Sequence, residues 1–282
     1  MNVSTAFRSS RKTLAIAGAV AGVAALSLAV TSPAGATSGH PTEAGKPTVV
    51  LVHGAFADSS SWNGVIQRLR HDGYPVVAPA NPLRSLTGDA DYLKSFLKSV
   101  KGPVVLAGHS YGGAVISEAA AGNPNVKALA YIAAFAPEKG ETALGLSNKF
   151  PGSTLGDALN PVSFPVAGGG TGTDLYIRPD AFHHQFAADV PTRTADLMAA
   201  TQRPVAASAL EEGATAAAWK TIPSWNLITR QDLNIPLAAQ RFMAQRAHSH
   251  TTEIKASHAV TVSRPDAVTR VIEQAARATD GR

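Results

Sequence analysis

The chain has 282 residues, no cysteine, and 25 Lys and Arg against 20 Asp and Glu, for a formal charge of +5. That length buries one large core, the missing cysteines exclude a disulfide framework, and nucleic-acid binding is not indicated. Three of the basic residues fall in the first 36 positions, so 22 basic against 20 acidic residues remain beyond them and no basic footprint is left.

Arg8, Arg11 and Lys12 precede the apolar run Leu14 to Val30, and Ala34-Gly35-Ala36 offers small residues for cleavage. This predicts a secretory signal peptide over 1–36, Thr37 as the first mature residue, and a secreted protein with no stable membrane association. The competing reading is a retained anchor; against it, the run is short and rich in Ala and Gly for a spanning helix.

Residues 37–47 read as a flexible lead-in. Pro47 to Val52 is the first strand, ending in His53-Gly54-Ala55-Phe56. Asp58 to Ser61 offer N-caps for a helix through Trp62, Val65, Ile66 and Leu69 that stops near Gly73. Tyr74 to Pro79 is the next strand, Ala90 to Val100 the next helix, and Pro103 to Ala107 a short buried strand. Gly108-His109-Ser110-Tyr111-Gly112 follows, then a helical stretch to Gly122 and a buried strand over Val126 to Phe135. Strands separated by helix-sized stretches predict right-handed βαβ crossovers. The fold class is α/β, a mostly parallel sheet with helices on both faces.

The rhythm changes from Pro137 to Thr221. Residues 145–174 are rich in Gly, Pro, Ser and Thr, and helices are expected around Pro179 to Phe186, Pro191 to Thr201 and Pro204 to Glu212. This predicts an inserted helical cap over 137–221 that splits the core into 37–136 and 222–282. The second part holds a strand over Pro223 to Thr229, a helix from Pro236 to Ala247, a strand over Thr251 to Lys255 and a helix from Pro265 to Ala278.

A Gly-x-Ser-x-Gly stretch between a strand and a helix has the context of a nucleophile elbow. A serine hydroxyl needs an adjacent base, and the base needs an acid to orient it. Asp232 directly follows a strand and His258 sits in the loop after the next one, in the order Ser, Asp, His. Glu138 competes for the role of acid. Asp266 reads as a first-turn helix residue, His248 and His250 as solvated, and His183-His184 as a poor metal pair. No metal motif exists. Oxyanion donors are expected at the N–H groups of Tyr111 and Ala55, with Phe56 as the alternative to Ala55. His53 is expected to shape that loop and His109 to act as a spacer in the elbow.

VLVHGAF near the start, GHSYGG at the elbow, the Asp232 strand end and Ser257-His258 together resemble the α/β-hydrolase fold superfamily over essentially the whole mature chain. Within it the chain is similar to small cofactor-free esterases, a branch that includes plant methylesterases and bacterial pyrethroid-hydrolase-like carboxylesterases. The resemblance implies a Ser110–Asp232–His258 triad, no cofactor, a small-molecule ester as substrate and a pocket between core and cap. Phe56, Tyr111, Phe182, Phe186 and Trp219 are candidates to line that pocket. The branch also holds hydroxynitrile lyases, whose lysine after the histidine and threonine before the loop are here Ala259 and Val50. Cofactor-free perhydrolases of the haloperoxidase type use the same triad, and non-catalytic ligand-binding proteins have been built on this fold. Fold alone does not choose among them.

Overall fold

A computed structural model of the chain describes residues 45–279; the expected signal peptide and its cleavage site lie outside them. The strands are β1 (Thr48–Val52), β2 (Val76–Val77), β3 (Val104–His109), β4 (Val126–Ile132), β5 (Leu159–Pro165), β6 (Thr171–Ile177), β7 (Val205–Ala206), β8 (Ser224–Thr229) and β9 (His250–Ile254). Six of them form one sheet in the order β2-β1-β3-β4-β8-β9, and every pairing in it is parallel.

β3 and β8 are buried along their whole length, as expected for strands covered on both faces. Alternate residues build two separate cores. Val50, Val52, Leu106 and Leu129 face the helices Leu86–Leu97 and Tyr111–Ala119. Val49, Leu51, Val105 and Ile132 face the helices Asn63–His71 and Pro265–Arg277 through Trp62, Leu69, Val268 and Ile272. A fully buried Val, Leu, Ile or Phe side chain contributes about 1.5–3 kcal/mol, so these two layers can hold a chain that has no covalent cross-link.

From β1 the chain steps to β2 on one side, and β3 then pairs with the opposite edge of β1. The direction of winding therefore reverses between β1 and β3. In open parallel sheets the crevice at such a point, outside the carboxyl ends of the strands, receives ligands. His53-Gly54-Ala55-Phe56 leaves β1 there and Ser110 leaves β3.

Between β4 and β8 the structure has the helices Pro179–Phe186, Thr192–Thr201 and Ala207–Glu211, close to the expected positions. It also has what the sequence did not suggest, a three-stranded antiparallel sheet β5-β6-β7. The insertion expected to be helical is therefore mixed. β5 and β6 pair from Leu159↔Ile177 to Pro165↔Thr171, and the Gly168-Gly169-Gly170 run is their turn, with φ of 88°, 103° and 93°. Pro161 and Pro165 hide β5 from a reading of the sequence, and they are tolerated because β5 is an edge strand. The insertion is fixed to the core at the start of the helix Leu86–Leu97. There the Glu212 carboxylate accepts from the N–H groups of Leu86 at 2.6 Å and Thr87 at 3.3 Å, two donors that a helix start leaves unpaired. Arg84 adds an ion pair to Asp174 of β6 at 2.7 Å.

Candidate active site

Ser110 is the hinge between β3 and the helix Tyr111–Ala119, with φ 53° and ψ −125°. This backbone region suits glycine and costs other residues about 1–3 kcal/mol. The surroundings impose it: the Ser110 carbonyl accepts from Gly113 N–H at 3.0 Å and Phe135 N–H at 3.1 Å. A Cβ on Gly112 would lie 2.6 Å from the Val52 carbonyl oxygen, and one on Gly54 would lie 2.7 Å from the Ser110 Cβ. The end of β1 and the turn thus approach to a distance that only glycine permits.

His258 Nε2 lies 2.8 Å from Ser110 Oγ, and His258 Nδ1 lies 2.7 Å from Asp232 Oδ2. A carboxylate only accepts, so Nδ1 carries the proton and Nε2 is left to accept from the serine hydroxyl. The His258 side chain is 1% exposed and that of Asp232 0%.

Asp232 is a fully satisfied buried acid. Oδ1 accepts from the N–H groups of Asn234 and Ile235 at 2.8 and 2.9 Å. Oδ2 accepts from Thr229 Oγ1 at 3.0 Å, from Gln240 Nε2 at 3.1 Å and from His258. Burial acts to raise its pKa, but the His258 charge and hydrogen bond and the two backbone N–H groups outweigh it and hold the carboxyl below its ordinary value. The loop carrying Asp232 is tied to the insertion as well. The Asn234 carbonyl accepts from Ser147 Oγ at 2.9 Å and Ser153 Oγ at 3.0 Å. Gln185 Nε2 donates to the Leu233 carbonyl at 2.9 Å and to Asn234 Oδ1 at 2.8 Å. Nothing in the sequence marks Thr229, Gln240 or Gln185 for these roles.

The other histidines have separate work. His109 Nε2 donates to the His258 carbonyl at 2.9 Å. Burial, followed by the neighbouring His258, pushes its pKa down to about 3 and keeps it neutral. His53 Nδ1 donates to the Gly54 carbonyl at 3.0 Å while Nε2 accepts from Asn81 N–H at 2.9 Å. Burial lowers the His53 pKa too, and the ring pins the loop after β1. His183 Nε2 donates to the Val190 carbonyl at 2.9 Å. His248 and His250 are exposed, and His250 stacks on Trp225. Among the described residues no three His, Cys, Asp or Glu side chains are grouped to hold a metal ion. Glu138 pairs with Lys220 at 2.6 Å, while the carboxylate on His258 is that of Asp232, and Asp266 pairs with Arg270 in the first turn of its helix.

Phe56 N–H donates to the Arg203 carbonyl at 3.0 Å, whereas among the described residues the Ala55 N–H has no acceptor. Tyr111 opens its helix, so its N–H has no intrahelical acceptor. Its side chain is anchored elsewhere: the hydroxyl donates to buried Asp89 Oδ2 at 2.9 Å. Burial raises the pKa of both groups. Tyr111→Phe should therefore cost about 1–3 kcal/mol of stability, because a buried carboxylate oxygen loses its donor. The backbone donor stays in place, so activity per folded molecule should change little. Thermal denaturation beside an activity assay checks this, and an unchanged melting temperature would contradict it.

A cavity of about 210 Å³ lies against Ser110 and is bordered by Ala55, Phe56 and Tyr111, with Phe135, Leu175 and Ile235 among its apolar walls. Phe182, Phe186 and Trp219, expected to line the pocket, do not border it. Phe182 and Phe186 lie four residues apart on one helix face and stack with ring centroids 5.1 Å apart. Phe186 then meets the His258 ring edge-on at 4.9 Å, so the pair backs the base. Trp219 donates from Nε1 to the Pro137 carbonyl at 2.9 Å and packs under the Arg246 guanidinium.

The sequence profile described as "Alpha/beta hydrolase family" matches residues 49–271. The alpha/beta hydrolase nvfD of Aspergillus novofumigatus (strain IBT 16806) is 30% identical over 253 residues, which span 82% of this chain and 97% of that protein. A carbendazim hydrolyzing esterase of Nocardioides sp. (strain SG-4G) is 33% identical over 113 residues, 36% of this chain and 47% of its own. The crystal structure of a pyrethroid hydrolase from Sphingobium faniae JZ-2 superposes with a TM-score of 0.66 at 23% identity, over 82% of this chain and 98% of that one, which establishes the shared fold.

Proposed function

The chain belongs to the alpha/beta hydrolase family, and from that premise we propose that it hydrolyses carboxylic esters through an acyl-enzyme on Ser110. The observation that carries this reading is the unbroken run of hydrogen bonds from Ser110 Oγ through His258 to Asp232. Ser110 Oγ attacks the ester carbonyl carbon while His258 Nε2 takes its proton. The N–H groups of Ala55 and Tyr111 hold the oxyanion as it forms. Asp232 keeps the imidazole in the required tautomer and stabilises its charged form. The tetrahedral intermediate then expels the alcohol oxygen, which takes the proton back from His258. Water repeats the sequence on the acyl-serine and releases the acid. The esterase named among the relatives supports the same substrate class.

The test is a series of p-nitrophenyl esters of rising acyl length. A cavity of about 210 Å³ is only somewhat larger than the ~150 Å³ site that takes benzene in an engineered protein. The best substrates should therefore carry short to medium acyl chains, and turnover should fall for long ones. A folded protein that turns over none of them would overturn the reading. Export remains part of the proposal through the pattern at 1–36, and the N-terminal sequence of protein recovered from the culture medium tests it.

A further inference from the structure

The cavity beside Ser110 opens to solvent past Leu144, Asn148, Gly156 and Glu211, all of them exposed. Among the described residues no Lys, Arg or His borders it, and Glu211 is its one carboxylate. Among the described residues the Glu211 carboxylate makes no hydrogen bond and no ion pair, so no partner holds its charge. The Glu212 carboxylate is engaged by the N–H groups of Leu86 and Thr87. The Lys149 ammonium is drawn 5.1 Å over the Phe242 ring, which borders a different surface hollow.

Building on the ester-hydrolase reading, we propose that Glu211 is a specificity-determining residue that makes the mouth of the cavity select neutral and cationic esters and reject those bearing a carboxylate. The walls beyond the mouth are largely apolar, so a negative charge carried inward meets the carboxylate first and then a lining with no cation to receive it. The Debye length at physiological salt is about 8 Å, so the charge is still felt by a substrate tail lying at the mouth. The same charge acts on the product. Hydrolysis converts a neutral ester into a carboxylic acid that ionises at neutral pH, so Glu211 repels what the reaction makes and not what it consumes.

The experiment uses the full chain and a matched set of esters sharing one acyl group, with a choline, a neutral or a carboxylate-bearing alcohol. The readout is the ratio of kcat/KM for the cationic over the anionic ester. Glu211→Gln should lower that ratio by about fivefold, mostly through KM, and Glu211→Lys should invert it. The difference between the variants should shrink at high salt, and Glu211→Lys should be inhibited by a short carboxylate at lower concentration. Asp266→Asn, which removes a surface charge paired with Arg270, serves as the remote control and should leave the ratio where it is. A ratio indifferent to both Glu211 substitutions would overturn the proposal while leaving ester hydrolysis intact. Absence of Ser110-dependent turnover on every ester would instead overturn the underlying reading.

Discussion

Ser110→Ala should reduce ester turnover by about 10⁴-fold or more, since losing the nucleophile of such a group disables the rest of it. The companion variant Ser110→Gly should be equally inactive and should melt at a higher temperature than Ser110→Ala. The backbone at φ 53° and ψ −125° costs a residue with a Cβ about 1–3 kcal/mol. Glycine removes that cost and gives back about 0.4–1 kcal/mol through its freer unfolded chain, which leaves a net gain of about 0 to 2.6 kcal/mol. For a chain of this size each kcal/mol moves the melting temperature by about 2–4 °C. Residual hydrolysis above about one percent would sink Ser110 as the nucleophile. A Ser110→Gly protein less stable than Ser110→Ala would show that the turn is not strained.

Asp232→Asn should lower kcat by about 10⁴-fold. The amide oxygen can keep the Asn234 and Ile235 N–H groups, but the amide nitrogen then faces His258 Nδ1, Thr229 Oγ1 and Gln240 Nε2, which donate to Oδ2 in the native chain. Donor facing donor drives the imidazole to the other tautomer, whose Nε2–H can no longer take the Ser110 proton. Glu138→Gln, whose partner is Lys220, should leave the rate within about twofold, and a larger loss there than at Asp232 would mean that the acid has been misassigned. Stability carries a second signature. Because the folded state holds the Asp232 pKa below its ordinary value, its stabilising effect is present above about pH 4 and is lost as the pH falls through the depressed pKa. The gap in melting temperature between wild type and Asp232→Asn should therefore narrow in acid.

Ser110, Asp232 and His258 were legible because each follows the carboxyl end of a strand, and β3, β8 and β9 announce themselves by short apolar or β-branched runs. Glu138 lies in a comparable place after β4, and the structure separates the two: His258 Nδ1 lies 2.7 Å from Asp232 Oδ2, while Glu138 pairs with Lys220. Thr229 and Gln240 are hidden in the sequence for a different reason. A threonine at a strand end and a glutamine inside a helix are ordinary surface residues until the fold turns both toward one carboxylate. The spacing of Phe182 and Phe186 does carry a signal. Aromatic residues at i and i+4 share one helix face, which argues for packing against the core more than for opening onto a cavity. The β5/β6 hairpin was hidden by the prolines and glycines that its edge position and its turn accommodate.

The seams between insertion and core divide the molecule into parts that can be exchanged and parts that cannot. Ser147, Ser153 and Gln185 grip the backbone on which Asp232 stands, so a graft replacing residues 143–186 with a foreign segment would move the acid along with the pocket wall. A graft limited to the tip between Pro165 and Thr171 touches none of those bonds. Variation of the pocket across related chains should accordingly be gathered at side chains lining the cavity and at the hairpin tip, while the serines and the glutamine that hold the acid loop travel together as one inherited unit.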